Sequence, residues 1–301
     1  MAKQITTSLQ KKRSRETHTA AAVFLAPVVV LLIIFIFFPI IDTFKTSAYK
    51  WNGIDSNPVF IGFSNWNQLL HDSSFWIAFK NNIIIMICSI LVQIPLGLAM
   101  ATFLDFGGTK KFNIFKILWF IPLLMSSVAI GFLFIYALAT NGGIVSTVSR
   151  FFGGKNIDLL GNPKLALFTV IMVIAWQFTP FYMVYCMAAY TNIPMEVYEA
   201  SIIDGATKPQ YFRHIALPLL TPSLKSAAIL SMVGSLKYFD LIYVMTGGGP
   251  GTSTELMATY MYKQSFKTFN MGYGSAVAGG MFLLITFMAL ITMKLINKKE
   301  E

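Results

Sequence analysis

The chain has 301 residues, 55% of them hydrophobic and only 12% charged, with a formal net charge of +10. A soluble domain carries about a quarter charged residues, so this composition excludes an ordinary soluble protein and predicts an all-α polytopic membrane protein. The positive charge is scattered among loops without a basic stripe, which argues against a nucleic-acid partner.

A helix needs about 20 apolar residues to cross the hydrocarbon core. Six stretches qualify, and residues 20–301 read as one membrane domain behind a basic tail, 1–19. The first stretch, 20–41, is too long for a signal-peptide core and has no convincing small-residue cleavage site after it, so an uncleaved span is expected. The segment that follows carries Tyr49, Trp51, Trp66, Phe75 and Trp76. Such rings favour the headgroup zone; a landing surface for an outside partner is the alternative. Spans are expected next at 83–104, 117–138 and 165–189, with Pro95, Pro122 and Pro180 inside them as Pro27 is inside the first. Each proline frees backbone carbonyls that neighbours must satisfy. The fifth stretch, 223–245, is interrupted by Lys237 and Asp240, whose spacing puts them on one face of a continuous helix. They form either a cavity wall or an intrahelical pair, since unpaired charge at this depth is costly. The sixth, 275–296, is rich in small residues, with Gly272, Ala276 and Gly280 at four-residue intervals that permit close helix approach.

With the tail inside, Lys and Arg number 14 in the inner segments against 8 in the outer ones. Both termini are therefore expected to be cytoplasmic, and the polar segment between the fourth and fifth spans faces the cytoplasm. Cys88 and Cys186 lie in apolar runs without metal-ligand spacing. No phosphate-binding G-x-x-x-x-G-K-[ST] occurs, and Gly247-Gly248-Gly249-Pro250 reads as a turn. No cofactor is expected on this chain.

That polar segment, 194–218, is heavily punctuated. Pro194 suits a first helical turn, Glu196 and Glu199 complement the helix dipole, and Gly205 is placed to end the helix with positive φ. Thr207-x-x-Gln210 has the form of a capping box for a second short helix, ended by Pro218. Tyr211, Phe212 and Ile215 give it one apolar side. A compact helix–turn–helix follows, shaped like a knob for a partner's socket.

Glu199-Ala200-Ser201, then Gly205, then Ile215-Ala216-Leu217-Pro218 resembles the EAA signature of ABC-importer permease subunits: E-A-A, three residues, G, nine residues, I-x-L-P. Only Ser201 departs from it, in place of a second alanine. "KYFDLIYVMTGGGPGTST" (237–254) and the early "FIGFSNWNQLL" and "FWIAFKNNI" are similar to sugar permeases of the maltose and glycerol-phosphate type, in particular to the first of their two permease partners. The resemblance implies a second homologous permease subunit and an extracytoplasmic sugar-binding protein. It also implies a dimer of ATP-binding subunits that holds ATP and Mg, around a chain seated in membrane lipid. It further implies that the 194–218 loop docks on an ATPase subunit. Glu199 would pair with a basic residue there; Asp204, Gly205 and Ala206 would form the turn; the helix through Phe212 and Ile215 would enter the cleft.

Sugars call for hydrogen-bonding groups interleaved with rings. "WQFTPFYMVY" and "SMVGSLKYFD" supply both and resemble the segments that line the sugar path in maltose-type permeases. Carried over by position, Gln177, Phe178, Phe181, Ser231, Ser235 and Tyr238 would face the sugar, with helix packing as the alternative role for each. A glycerol-phosphate or polyol substrate fits the same architecture, with Lys237 as the basic candidate within a span. An ion-driven secondary transporter would carry more intramembrane carboxylates than the lone Asp240. A membrane enzyme would need a metal set or a nucleophile–base pair, whereas His18, His71 and His214 lie outside the apolar cores.

Overall fold

A computed structural model describes residues 22–107 and 110–297. The tail at 1–19 lies outside the described residues. Helix α1, Ala22–Thr46, is apolar around its circumference and exposed over most of its length. A two-stranded antiparallel hairpin follows, β1 (Tyr49–Lys50) with β2 (Val59–Phe60). Then come α2 (Ser64–His71), α3 (Ser73–Gly107), α4 (Lys110–Leu124), α5 (Ser127–Ala137), α6 (Ile144–Phe151) and α7 (Ala166–Tyr190). The rest comprises α8 (Met195–Ile203), α9 (Lys208–Ser235), α10 (Asp240–Met245), α11 (Met257–Tyr262) and α12 (Met271–Asn297). Among the described residues, α1, α3, α7, α9 and α12 are long and apolar enough to cross a membrane, and α4 with α5 makes up to a sixth crossing.

The centre of the bundle is the crossing of α3 and α7. A side chain on Gly97 would stand 2.8 Å from the Met183 backbone nitrogen, so only glycine permits this backbone-to-backbone approach. Around the crossing, Ile85, Ile130, Val170, Ile174 and Ile242 form a core from which water is excluded. The small residues of α12 act as their spacing predicts: Ala276 is fully buried and Gly280 lies against Leu69 of α2.

Three expectations need correction. The stretch 117–138 is two helices, bent by 97° at a break. Ser126 is extended there, and Pro122, one turn earlier, cannot donate to the ladder. The 223–245 stretch is also two helices: α9 stops at Ser235 and α10 starts at Asp240. Lys237 and Asp240 therefore flank a break instead of sharing a helix face; both are exposed, and no ion pair joins them. Finally, Pro218 does not end the second loop helix. The helix widens into a π turn over Phe212–Ala216, where the N–H of Leu217 bonds to the Phe212 carbonyl five residues back. A proline ring clashes with the carbonyl four back in a regular helix, and the wide turn relieves that contact. The loop helix and the expected fifth span are one rod, Lys208–Ser235.

Candidate functional site

Two places combine special backbone with the candidate side chains. The first is the elbow between α8 and α9. Pro194 sits one position earlier than expected, as the N-cap of α8. At the other end, the Gly205 N–H bonds to the Ile202 carbonyl at 2.9 Å and the Ala206 N–H to the Ser201 carbonyl at 2.9 Å. With Gly205 at φ +78°, this is a Schellman turn. Thr207 then caps α9, its N–H donating to Gln210 Oε1 at 2.8 Å.

The elbow is pinned from beneath. The ring of Tyr198 meets that of Tyr211 edge-on at 5.0 Å. Tyr211 is buried with Ala101, Cys186, Tyr190 and Ala216, and Phe212 and Ile215 pack against that cluster. Ser201 is buried too, but its hydroxyl donates to the Tyr198 carbonyl at 2.7 Å, so the serine fills the alanine position without an orphaned donor. Glu199, Ala200, Asp204 and Gly205 are exposed, as is Pro218; Ala206 and Leu217 are half-buried. Sequence reasoning missed Ile202 and Ile203, which are 53% and 86% exposed at the tip. Two adjacent isoleucines just before a turn glycine were the available signal.

The second place is the break between α9 and α10. The freed carbonyl of Leu236 faces the side-chain amide of Asn82 on α3, whose oxygen also accepts the Met257 N–H at 2.9 Å. Ser231 and Ser235 lie one turn apart on α9, both buried, with the Ser235 hydroxyl on the Ser231 carbonyl at 2.6 Å. Tyr238 follows the helix end, its ring 5.3 Å from that of Phe178 and its hydroxyl close to Gln93, Ser235 and Ser89. Gln177 reaches Ser127 at 3.1 Å. No hydrogen bond closes on the side-chain oxygens of Gln93, Gln177 and Ser231 among the described residues, although all three residues are buried and the hydroxyls of Tyr238 and Tyr182 stand close to Gln93 and Ser231. The candidate path residues thus separate into two sets. Gln177, Phe178, Ser231, Ser235 and Tyr238 lie inward, whereas Phe181, Lys237 and Asp240 are exposed. Gln93, Ser89 and Asn82 were missed because polar residues in a long apolar run give no local sign of what they meet.

A family of binding-protein-dependent transport system inner membrane components matches residues 93–301, which spans both places. The chain belongs to that family. It is accordingly a multi-pass inner-membrane component, an ABC transporter permease. A Pyrococcus horikoshii protein named as a probable ABC transporter permease is 33% identical over 92% of this chain and 96% of its own length. The trehalose/maltose transport system permease MalF of Thermococcus litoralis is 30% identical, over 89% of this chain and 90% of its own. Among solved structures, a chain of a bacterial ABC transporter for import of the acidic polysaccharide alginate superposes with a TM-score of 0.81. It covers 96% of this permease and 98% of its own length at 22% identity, a likeness of fold.

Proposed function

We propose that this permease is one of a pair of translocation subunits in an ATP-driven importer of a sugar or oligosaccharide. Both termini lie in the cytoplasm, and the elbow at 194–218 docks on a partner ATPase subunit that holds ATP and Mg; the chain itself catalyses no reaction. An extracytoplasmic binding protein delivers the sugar. Relatives named as permeases for trehalose/maltose and, in Agrobacterium fabrum, for sulfoquinovosyl glycerol support the substrate class.

The observation that carries this reading is the continuity of α9. A rod of 28 residues runs from the exposed turn at Gly205 to the break at Tyr238. At about 1.5 Å per residue it spans roughly 40 Å. Displacing the elbow therefore moves the α9 end of the polar cluster, because the helix continues through the π turn at 212–216 and past Pro218 and Pro222 without a break. The exposed Ile202 and Ile203 supply an apolar tip and Glu199 a charge for the ATPase cleft. Alternating access then consists of exposing the path along Phe181, Lys237 and Asp240 to one side or the other. The inward set holds that wall in shape and offers unpartnered oxygens to hydroxyl groups.

Co-purification of the ATPase subunits with wild type and Gly205→Asp tests the docking half. We expect ATPase release or uncoupled hydrolysis with the membrane helices still inserted; unchanged association and transport would sink it. Tyr238→Ala tests the path half. Transport is expected to fall at least several-fold with the complex intact, and unaltered uptake and sugar preference would overturn the assignment.

A further inference from the structure

Helix α4 carries Ile117, Phe120, Ile121 and Leu124 on one stripe, at the spacing of successive turns. Opposite them stands Val184 of α7, and together they wall a groove of about 520 Å³ that is open to the surroundings. Ile117 is 64% and Leu124 73% exposed, so the groove is uncovered on its outer side. One charged residue lines it, Lys116, one position before the stripe. Lys116 is half-buried and has no ion pair among the described residues. Asp105, near the end of α3, is the acidic residue nearest in sequence; beyond it there is no Asp or Glu before Asp158 and none within α7, whereas Lys110 and Lys111 precede Lys116 on its own helix.

A cation at the polar end of an apolar groove matches an amphiphile with an anionic head. Lys116 stands near the start of the candidate span Ile114–Leu124, where a lysine extends its ammonium to the headgroup layer. The stripe beyond it runs about 10 Å into the hydrocarbon. We infer that this groove is a binding site for an anionic phospholipid: the phosphate pairs with Lys116, and an acyl chain lies along Ile117, Phe120, Ile121 and Leu124 against Val184. Basic residues beside membrane helices attract such headgroups at about 1 kcal/mol per cation. The inference does not depend on the sugar path or on the elbow.

The test places the intact transporter complex in nanodiscs of mixed phosphatidylcholine and phosphatidylglycerol, then counts retained lipids by native mass spectrometry. Wild type is expected to retain phosphatidylglycerol over phosphatidylcholine. Lys116→Gln should lower that enrichment about five-fold, Lys116→Arg should keep it, and Ile121→Trp, which fills the groove, should lower retention of both lipids. Equal retention of the two lipids by wild type, or full enrichment in Lys116→Gln, overturns the site. So does background retention in wild type together with protection of Ile121→Cys from a lipid-soluble maleimide, which would mean that another subunit's helix covers the groove.

Discussion

Helix α3 runs between two ends of the bundle that are held by different chemistry. Near its C-terminal half, the elbow rests on local backbone caps and an apolar pad: Tyr198 on Tyr211, with Ala101 and Cys186 beneath. Near its N-terminal end, polar side chains tie together segments far apart in sequence. Asn81 donates to the carbonyl of Glu255 at 2.9 Å and lies near those of Thr252 and Ser253. Glu255 is buried, paired with Lys263 and accepting from Thr259. The Asp72 carboxylate caps α3 through the Ser74 N–H at 2.9 Å and accepts from the hydroxyls of both Tyr260 and Tyr273. An apolar pad permits small shifts because dispersion contacts are non-directional, whereas buried polar ties break with a large penalty. The polar end is therefore held as an anchor, and the elbow is the more yielding of the two ends.

The largest effect that would break this contrast is at the buried ion pair. Lys263→Met leaves the Glu255 carboxylate buried with one hydroxyl for company. Breaking a buried pair costs about 3–5 kcal/mol, and the 31% exposure of the Lys263 side chain puts the expected loss at about 3 kcal/mol. Thermal unfolding of the purified complex in detergent reads it. Adding Glu255→Gln should recover much of the loss; a wild-type midpoint in the single variant contradicts the anchor. Smaller changes are expected at the elbow. A methyl group on Gly205 meets nothing within 4 Å, so Gly205→Ala costs only its left-handed strain, about 1–2 kcal/mol, and Thr207→Ala about 1 kcal/mol. Hydrogen exchange should quicken over 198–211 in both variants and stay unchanged around Asn81. Equal quickening at the two ends would show that they are not separate.

The smallest effect is acid-dependent. Burial pushes the Asp72 carboxyl up, but hydrogen bonds from Tyr260, Tyr273 and the N–H groups of Ser74 and Phe75 outweigh it and hold the group below 3.8. A depressed carboxylate contributes stability that is complete above its unfolded value, about pH 4. That contribution is lost as pH falls through the lower folded value. The unfolding midpoint of wild type should therefore drop below about pH 4 more steeply than that of Asp72→Asn. Parallel acid limbs would remove Asp72 from the anchor.

Much of this architecture was legible because it is written locally. Apolar run length marked the long apolar helices α1, α3, α7 and α12, Gly205 and Thr207 marked the elbow's turn, and the small residues of α12 marked a close-packed face. What escaped was written between distant segments. At the break at 236–239 Asn82 of α3 meets a freed carbonyl, and beyond the 97° bend at Ser126 α5 packs over α10, where Gly131 lies against Val244. Pro218 misled because its usual effect, ending a helix, is cancelled by a π turn that no residue type announces.

The sequence by itself determined that this chain is a multi-helix membrane permease with a capped polar elbow, because hydrophobic run length, capping residues and a spaced motif each act within a few turns of chain. Only the tertiary structure decided that the elbow and the fifth helix are one rod, and that the candidate path residues divide into a buried set and an exposed one. The first outcome depends on how the backbone passes Pro218, the second on which side chain of another helix stands within hydrogen-bonding or van der Waals distance, and one-dimensional periodicity carries neither.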